Sequence, residues 1–306
     1  VITVVGEALA DLIAGPDGRT FTAHPGGSPA NVALGLARLG ELTRLATRLG
    51  EDLFGRMIGA HLTAGAVVVE RLPAPTTDTS VAFAATDAAG VATYDFRIVW
   101  DITTIPGDLG RCVHTGSLAT MVSPGAAVVE QMMADARADG VLVSLDPNVR
   151  PSLAGTRAAE RVRIERQVAI ADIVKVSDED LGWLYPGADP ADVAGRWLAS
   201  GPRVVVVTRG GEGAYAVTSA GSVSRRAPAV TVIDTVGAGD AFTSGFLHWL
   251  SRTGLLDRPA DLAHLTGDQL APGLDLACAA AAITCSRPGA DPPTSAELHA
   301  EHGYLL

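Results

Sequence analysis

One stretch of the chain places two glycines directly ahead of an acid: Asp234-Thr235-Val236-Gly237-Ala238-Gly239-Asp240-Ala241-Phe242. A helix-like run follows from Ala241 to Leu250. Gly237 and Gly239 remove side chains where loop passes into helix. The main-chain amides of Gly237 and Gly239 can then turn toward one point, where the positive end of the helix dipole favours an anion. Asp240 stands at the same helix start. A carboxylate repels a bound phosphate, so it is a poor choice for binding alone. It makes sense as the base that takes a proton from a hydroxyl attacking that phosphate. The plainer reading is an Asp cap after a glycine-rich turn.

A second segment, Gly26-Gly27-Ser28-Pro29-Ala30-Asn31, also opens a helix. Gly26 and Gly27 let a ligand approach the backbone. Asn31, in the first turn of a helix capped by Ser28 and opened by Pro29, can donate and accept toward a polyol; otherwise Ser28 simply caps and Asn31 is incidental. Asp11 follows the first predicted strand, at the end where open α/β sheets take ligands, and its carboxylate can accept bonds from two sugar hydroxyls. A solvated loop acid is the alternative. Two common phosphate sites are absent. A Walker A loop needs Lys after its glycines, and the one lysine, Lys175, has no such loop around it. A dinucleotide fingerprint needs three spaced glycines after the first strand, where Gly6-Glu7-Ala8-Leu9-Ala10-Asp11 stands instead.

The elements that must position these residues alternate. Val1–Val5, Val141–Leu145, Ile173–Val176 and Val204–Val207 are short, continuous and Val-rich, as strands buried on both faces of a parallel sheet are. Helices are predicted from Ser28-Pro29 to Gly40 and from Ser123-Pro124 to Gly140, each with Ser as cap, Pro first and Gly just past the end. Gly18–Ala23 and Val81–Arg97 break the alternation. The latter pairs Val81–Thr86 with Val91–Arg97 around a turn at Asp87–Gly90. The expectation is an α/β fold over residues 1–306, with a small discontinuous β lid from about 12–26 and 75–100 over the C-terminal edge of the large sheet.

Composition agrees. At 47% hydrophobic residues the chain can fill a large core, and a net charge of −11 argues against nucleic-acid and anionic-membrane partners. Cys112, Cys278 and Cys285 match no zinc or redox spacing and read as reduced core thiols. Leu276–Thr284 is too short an apolar run to span a bilayer, and the strand-like opening carries no secretory pattern; a cytoplasmic location is expected.

Together these segments resemble the PfkB, or ribokinase-like, family of carbohydrate kinases. Gly26–Asn31 looks like its N-terminal signature and Asp234–Phe242 like its C-terminal one. Gly6–Asp11, Asp146-Pro147-Asn148-Val149-Arg150 and Lys175-Val176-Ser177-Asp178-Glu179 are similar to the fructokinase branch, and Thr208-Arg209-Gly210-Gly211-Glu212-Gly213 to the nucleotide-side loop. The resemblance implies a three-layer sandwich with a mostly parallel central sheet, and in-line phosphoryl transfer from magnesium-ATP to a primary hydroxyl of a small sugar. It makes Asp240 the base and Gly237, Ala238 and Gly239 the anion hole. Asp11, Gly26, Gly27 and Asn31 would lie on the sugar, with Thr208, Gly210 and Gly213 near the nucleotide. Asn148 and Arg150 would face its phosphates. The family's Asn-x-x-Glu is replaced by Ser177 and Asp180, so Asp180 would reach magnesium through water. A potassium ion would sit by Asp234, Val236, Ala281 and Gly289, with Val236 standing where Thr is frequent.

Fructose is the first substrate expectation, from the branch-like segments. A 2-keto-3-deoxy sugar acid is the rival, with Tyr94 and Arg97 of the lid hairpin gripping its carboxylate; a solvated edge-strand charge is the other reading of Arg97. Ribose and nucleosides are further options within the family. A non-catalytic sugar or nucleotide sensor on the same fold is the reading from another class. The poorly alternating Val81-Ala82-Phe83-Ala84-Ala85 suggests a homodimer through the lids.

Overall fold

The computed structural model describes residues 1–86, 92–105 and 107–303. In chain order its strands are β1 (Ile2–Val5), β2 (Leu9–Ala14), β3 (Phe21–Gly26), β4 (Thr43–Thr47), β5 (Val68–Arg71), β6 (Ser80–Thr86), β7 (Ala92–Arg97), β8 (Cys112–Gly116), β9 (Leu142–Asp146), β10 (Ile173–Ser177), β11 (Val204–Thr208), β12 (Ala214–Thr218) and β13 (Gly221–Arg225). The helices are α1 (Ser28–Arg38), α2 (Leu53–Ala64), α3 (Gly125–Ala138), α4 (Arg157–Ala169), α5 (Asp178–Leu184), α6 (Pro190–Leu198), α7 (Ala238–Arg252), α8 (Gly267–Cys285) and α9 (Ser295–His302).

Nine strands form the large sheet in the order β13-β12-β11-β10-β9-β8-β1-β4-β5. Neighbours from β11 through to β5 are parallel, and the β12–β13 hairpin adds antiparallel strands at one edge. The Val-rich runs are central because both sheet faces are covered. In β11, Val204 and Val206 pack into a core shared with α1, α7 and α8. Val205 and Val207 pack into a second core, with residues of α3, α4 and α6. Successive strand side chains point to opposite faces, so one four-valine run serves two cores. This is a three-layer α/β/α sandwich.

The second sheet has four strands in the order β3-β2-β6-β7. The predicted Gly18–Ala23 strand runs from Phe21 to Gly26 and pairs antiparallel with β2, which begins just before Asp11. Asp11 therefore lies inside a strand of the smaller sheet rather than in a loop after β1. The β6–β7 pairing is antiparallel as expected; the expected turn at 87–90 lies outside the described residues. The helix expected from Ser123 starts at Gly125. Among the described residues no helix is long and apolar enough to cross a membrane.

Candidate active site

The site is assembled where α1 meets α7. Ser28 and Asn31 lie three apart, on one face of α1. The Ser28 hydroxyl donates to Asp240 Oδ1 at 2.6 Å, and Asn31 Nδ2 donates to Oδ2 at 2.8 Å. Ser28 is thus not a helix cap: Gly27, at φ 104°, holds the capping position, and the Ser28 side chain makes no capping bond. A Cβ at Gly27 would meet the Glu7 carbonyl oxygen at 2.6 Å, so the chain turns there only without a side chain. Asp240 is 7% exposed. Burial raises its pKa, while the Ser28 and Asn31 bonds and the Lys175 charge oppose the rise. The result is a carboxylate fixed by two donors in low-dielectric surroundings, with a raised proton affinity. That is the condition for a general base.

Gly237 precedes α7 in the left-handed region at φ 77°, and a Cβ there would collide with Ala290. The Ala238 amide is already engaged, donating to the Thr235 carbonyl at 3.2 Å. The Gly239 and Asp240 amides, in the first turn, have no intrahelical acceptor and are the pair left to meet an anion. Beside them lies Lys175, in the middle of β10. A Cβ on Gly239 would come within 2.8 Å of the Lys175 Nζ. Lys175 donates to Asp146 Oδ2 at 2.9 Å. Burial pushes its pKa down, but the carboxylates of Asp146, Asp240 and Asp180 outweigh burial and hold it charged.

The ends of β9 and β10 carry a linked polar chain. The Asp146 carboxylate accepts from the Asn148 amide at 3.2 Å, and Arg150 donates to Asn148 Oδ1 at 2.5 Å. The Val149 amide donates to Asp180 Oδ1 at 3.1 Å, and the Asp180 amide to the Ser177 hydroxyl at 3.0 Å. Asn148 takes a positive φ of 40° inside this network. Burial lifts the Asp180 pKa to about 6, with Asp146 adding to the rise. The Thr208 hydroxyl donates to the Val176 carbonyl at 3.4 Å at the end of β11, and Gly210 and Gly213 shape the loop beyond it at φ 49° and 94°.

Asp11 faces His24 and Ala82 across the smaller sheet. Burial raises its pKa to about 6, against the charges of His24 and Arg150. A Cβ at Gly26 would overlap the Asp11 carboxylate, so Gly26 makes room for Asp11. Glu7, at the end of β1, accepts from the Ala119 amide at 3.0 Å, and burial lifts its pKa to about 7. Arg150 acts electrostatically on Glu7, Asp11 and Asp180 alike, so one cation serves acids from both sheets.

Tyr94 and Arg97 do not form one grip. Tyr94 pairs with Ala84 and Arg97 with Val81. Three residues apart on a strand means opposite faces of the sheet. Arg97 lies on the face away from Asp11, exposed and bonded to Asp95 Oδ1 at 2.8 Å. The Tyr94 side chain lies outside what the structure describes. At the other end of the site, Asp234 accepts from the Val236 amide at 3.0 Å and the Gly289 amide at 2.8 Å, tying two loops together. Ala281 lies in α8, ahead of Cys285, whose carbonyl accepts the Ile233 and Asp234 amides.

Three participants escaped the sequence reading: Ser28 as a partner of Asp240, Asp146, and Lys175. Lys175 did leave a signal. A charge inside Ile173-Val174-Lys175-Val176, a run read as buried on both faces, must have a partner there.

A buried carboxylate, amides without intrahelical acceptors at a helix start and a buried ammonium from a central strand of the parallel sheet together suit phosphoryl transfer. The profile described as pfkB family carbohydrate kinase matches residues 1–297, and the chain belongs to that family; it is a kinase acting on a sugar hydroxyl. It is 35% identical over 272 residues to a fructokinase of Rhizobium leguminosarum bv. trifolii, covering 84% of this chain and 82% of that protein. It is similar to the crystal structure of a Xylella fastidiosa fructokinase with bound ATP, at TM-score 0.83 and 26% identity over 99% of each chain. It is also similar to a fructokinase double mutant from Vibrio cholerae O395 bound to fructose, ADP and potassium, at TM-score 0.80 and 27% identity, covering 98% and 97% of the two chains.

Proposed function

We propose that this kinase transfers the γ-phosphate of ATP to a primary hydroxyl of fructose, with Asp240 as the base. The observation that carries the reading is the Asp240 carboxylate, aimed by Ser28 and Asn31 at the start of α7 beside Lys175. The sugar lies between Asp11 of the smaller sheet and Asp240. Its attacking oxygen bonds to the γ-phosphorus as the bond to the β–γ bridging oxygen breaks. The hydroxyl proton passes to Asp240, and ADP leaves. The Gly239 and Asp240 amides meet the phosphoryl oxygens, while the Ala238 amide of the expected Gly237–Ala238–Gly239 hole is bonded to Thr235. Closure of the smaller sheet as a lid excludes water from that phosphate.

ATP runs along the ends of β9 to β11, past Asn148, Arg150, Thr208 and the Gly210–Gly213 loop. A magnesium ion fits Asp180 through water, because Oδ1 is held by the Val149 amide and Oδ2 remains. A potassium ion would find Asp234 already committed to two amides, so its ligands there are carbonyl oxygens of the 234–236 and 289 segments. The reading places the enzyme in the cytoplasm, where ATP is supplied. It makes the protein a dimer through the smaller sheets, because Phe21 and Phe83, edge to face at 6.0 Å, stand on the face away from Asp11, with Phe21 48% exposed. Sedimentation showing only monomer at micromolar concentration removes the dimer.

A panel of fructose, 2-keto-3-deoxygluconate, ribose and adenosine with magnesium-ATP tests the function. The expected result is ADP formation fastest with fructose. Preference for the sugar acid overturns the substrate, and absence of turnover with every sugar overturns the reading as a whole.

A further inference from the structure

Lys175 is the one lysine among the 23 lysine and arginine residues of the chain. Every other ion pair among the described residues uses Arg or His, including the part-buried Arg48–Asp101 and Arg163–Glu160 pairs. Where this chain needs only to neutralise a buried acid, it uses a guanidinium. At β10 it uses an ammonium, and the surroundings give the reason. The Nζ lies so close to Gly239 that a single added Cβ would come within 2.8 Å of it. A planar guanidinium has no room there, whereas an ammonium is a compact point charge with three donors. One donor goes to Asp146 at 2.9 Å. The ammonium is bonded to no other acceptor among the described residues, and the first turn of α7 lies against it. That turn is where the amides of Gly239 and Asp240 face outward.

Asp240 must approach a phosphoryl group that its own charge repels. Asp146 and Asp180 add two further acids to the neighbourhood. Arg150 lies on the Asp180 side, bonded to Asn148, so among the described residues Lys175 is the cation held against the first turn of α7, where the phosphoryl group would arrive.

We propose that Lys175 is a catalytic residue whose ammonium bonds the oxygens of the transferring phosphoryl group, with Asp146 holding it in place and Gly239 kept small to admit it. The inference rests on the kinase reading above and adds to it the residue that offsets charge between the phosphate and the base. As the sugar oxygen bonds to phosphorus and the β–γ bridging bond breaks, Lys175 keeps its proton and faces the equatorial oxygens. The hydroxyl proton goes to Asp240.

A single lysine makes the test unusually direct. Protein labelled with ¹³C-lysine gives one set of side-chain resonances. Titration with AMP, ADP and AMP-PNP in the presence of fructose is expected to move the Lys175 ε-CH₂ signal strongly with AMP-PNP and little with AMP. An unchanged signal at saturating AMP-PNP overturns the proposal. In kinetics, Lys175→Gln and Lys175→Arg are expected to lower kcat by about 10²–10³-fold, the scale of removing one oxyanion donor, with the sugar KM little changed. A variant that is folded and turns over at the wild-type rate overturns it, since a purely structural lysine would change melting temperature and not kcat. If Lys175→Gln does not fold, Lys175→Met combined with Asp146→Asn removes both charges, and the same criterion applies. Loss of the kinase reading is distinguishable: wild-type protein would then make no ADP with any sugar, while the labelled lysine still reports whether it meets a triphosphate.

Discussion

Two carboxylates of the candidate site are held in opposite ways. Asp240, at the junction of two helices over the large sheet, is nearly sealed from solvent and gripped by Ser28 and Asn31. Asp11, in the smaller sheet, faces His24 and Ala82 with room opened by Gly26. Burial raises both pKa values, but at Asp240 two hydrogen bonds to the charged form work against the rise, and at Asp11 the charges of His24 and Arg150 do, with no hydrogen bond among the described residues. The difference matches the two tasks proposed for them. A base must be fixed before the reaction, because any reorganisation adds to the barrier. A group that recognises hydroxyls gains its partners from the substrate, so its environment can stay incomplete until the substrate arrives.

The comparison breaks most visibly at Asp240. Asp240→Asn keeps the size and the Ser28 contact but removes the proton acceptor; turnover is expected to fall by about 10²–10⁴-fold with folding intact, as steady-state ADP release would read. Weakening the grip comes next. Ser28→Ala deletes a hydrogen bond to a charged group, of the kind that contributes about 1.5–3 kcal/mol, and should lower kcat/KM roughly ten- to a hundredfold. Because that bond lowers the Asp240 pKa, its loss should also move the acid limb of the pH profile to higher pH; an unmoved limb separates Ser28 from the base.

At Asp11 the effect should appear in substrate binding. Asp11→Ala is expected to raise the sugar KM about tenfold while leaving the ATP KM alone. The wild-type sugar KM should climb as pH falls through about 6, where the carboxylate protonates. A flat sugar KM across that range separates Asp11 from the sugar.

The smallest effect belongs to Glu7. Its folded pKa, about 7, lies above its ordinary value, so the folded state holds the proton more tightly than the unfolded one. Its contribution to stability is full at low pH and is lost as pH rises through about 7. Glu7→Gln should flatten the fall of melting temperature between about pH 5 and about pH 8 by roughly 2 °C, as thermal scans would read.

How much of this was legible depends on range. The Val-rich runs gave the central strands, because a strand buried on both faces has little choice but to be continuously apolar. The chemistry expected of Asp240 was readable locally, since the turn, the amides and the acid lie within a few residues. Edge and antiparallel strands such as β2, β5 and β13 carried weaker patterns, being partly exposed and mixed in composition. The pairing of Tyr94 with Arg97 failed on strand parity, which the sequence does contain and which their spacing of three already excludes.

By itself the sequence determined the class of fold and marked out the acid after Gly237 and Gly239 on which the proposed chemistry rests, because backbone conformation and helix-end electrostatics act over short stretches of chain. Only the tertiary structure decided that Ser28 and Asn31 serve Asp240, that Lys175 lies against Gly239 with Asp146 behind it, and that Arg97 faces away. Those facts join residues as much as 212 positions apart, as Ser28 and Asp240 are. Contacts of that range are set by how helices pack on a sheet, and local spacing does not encode them.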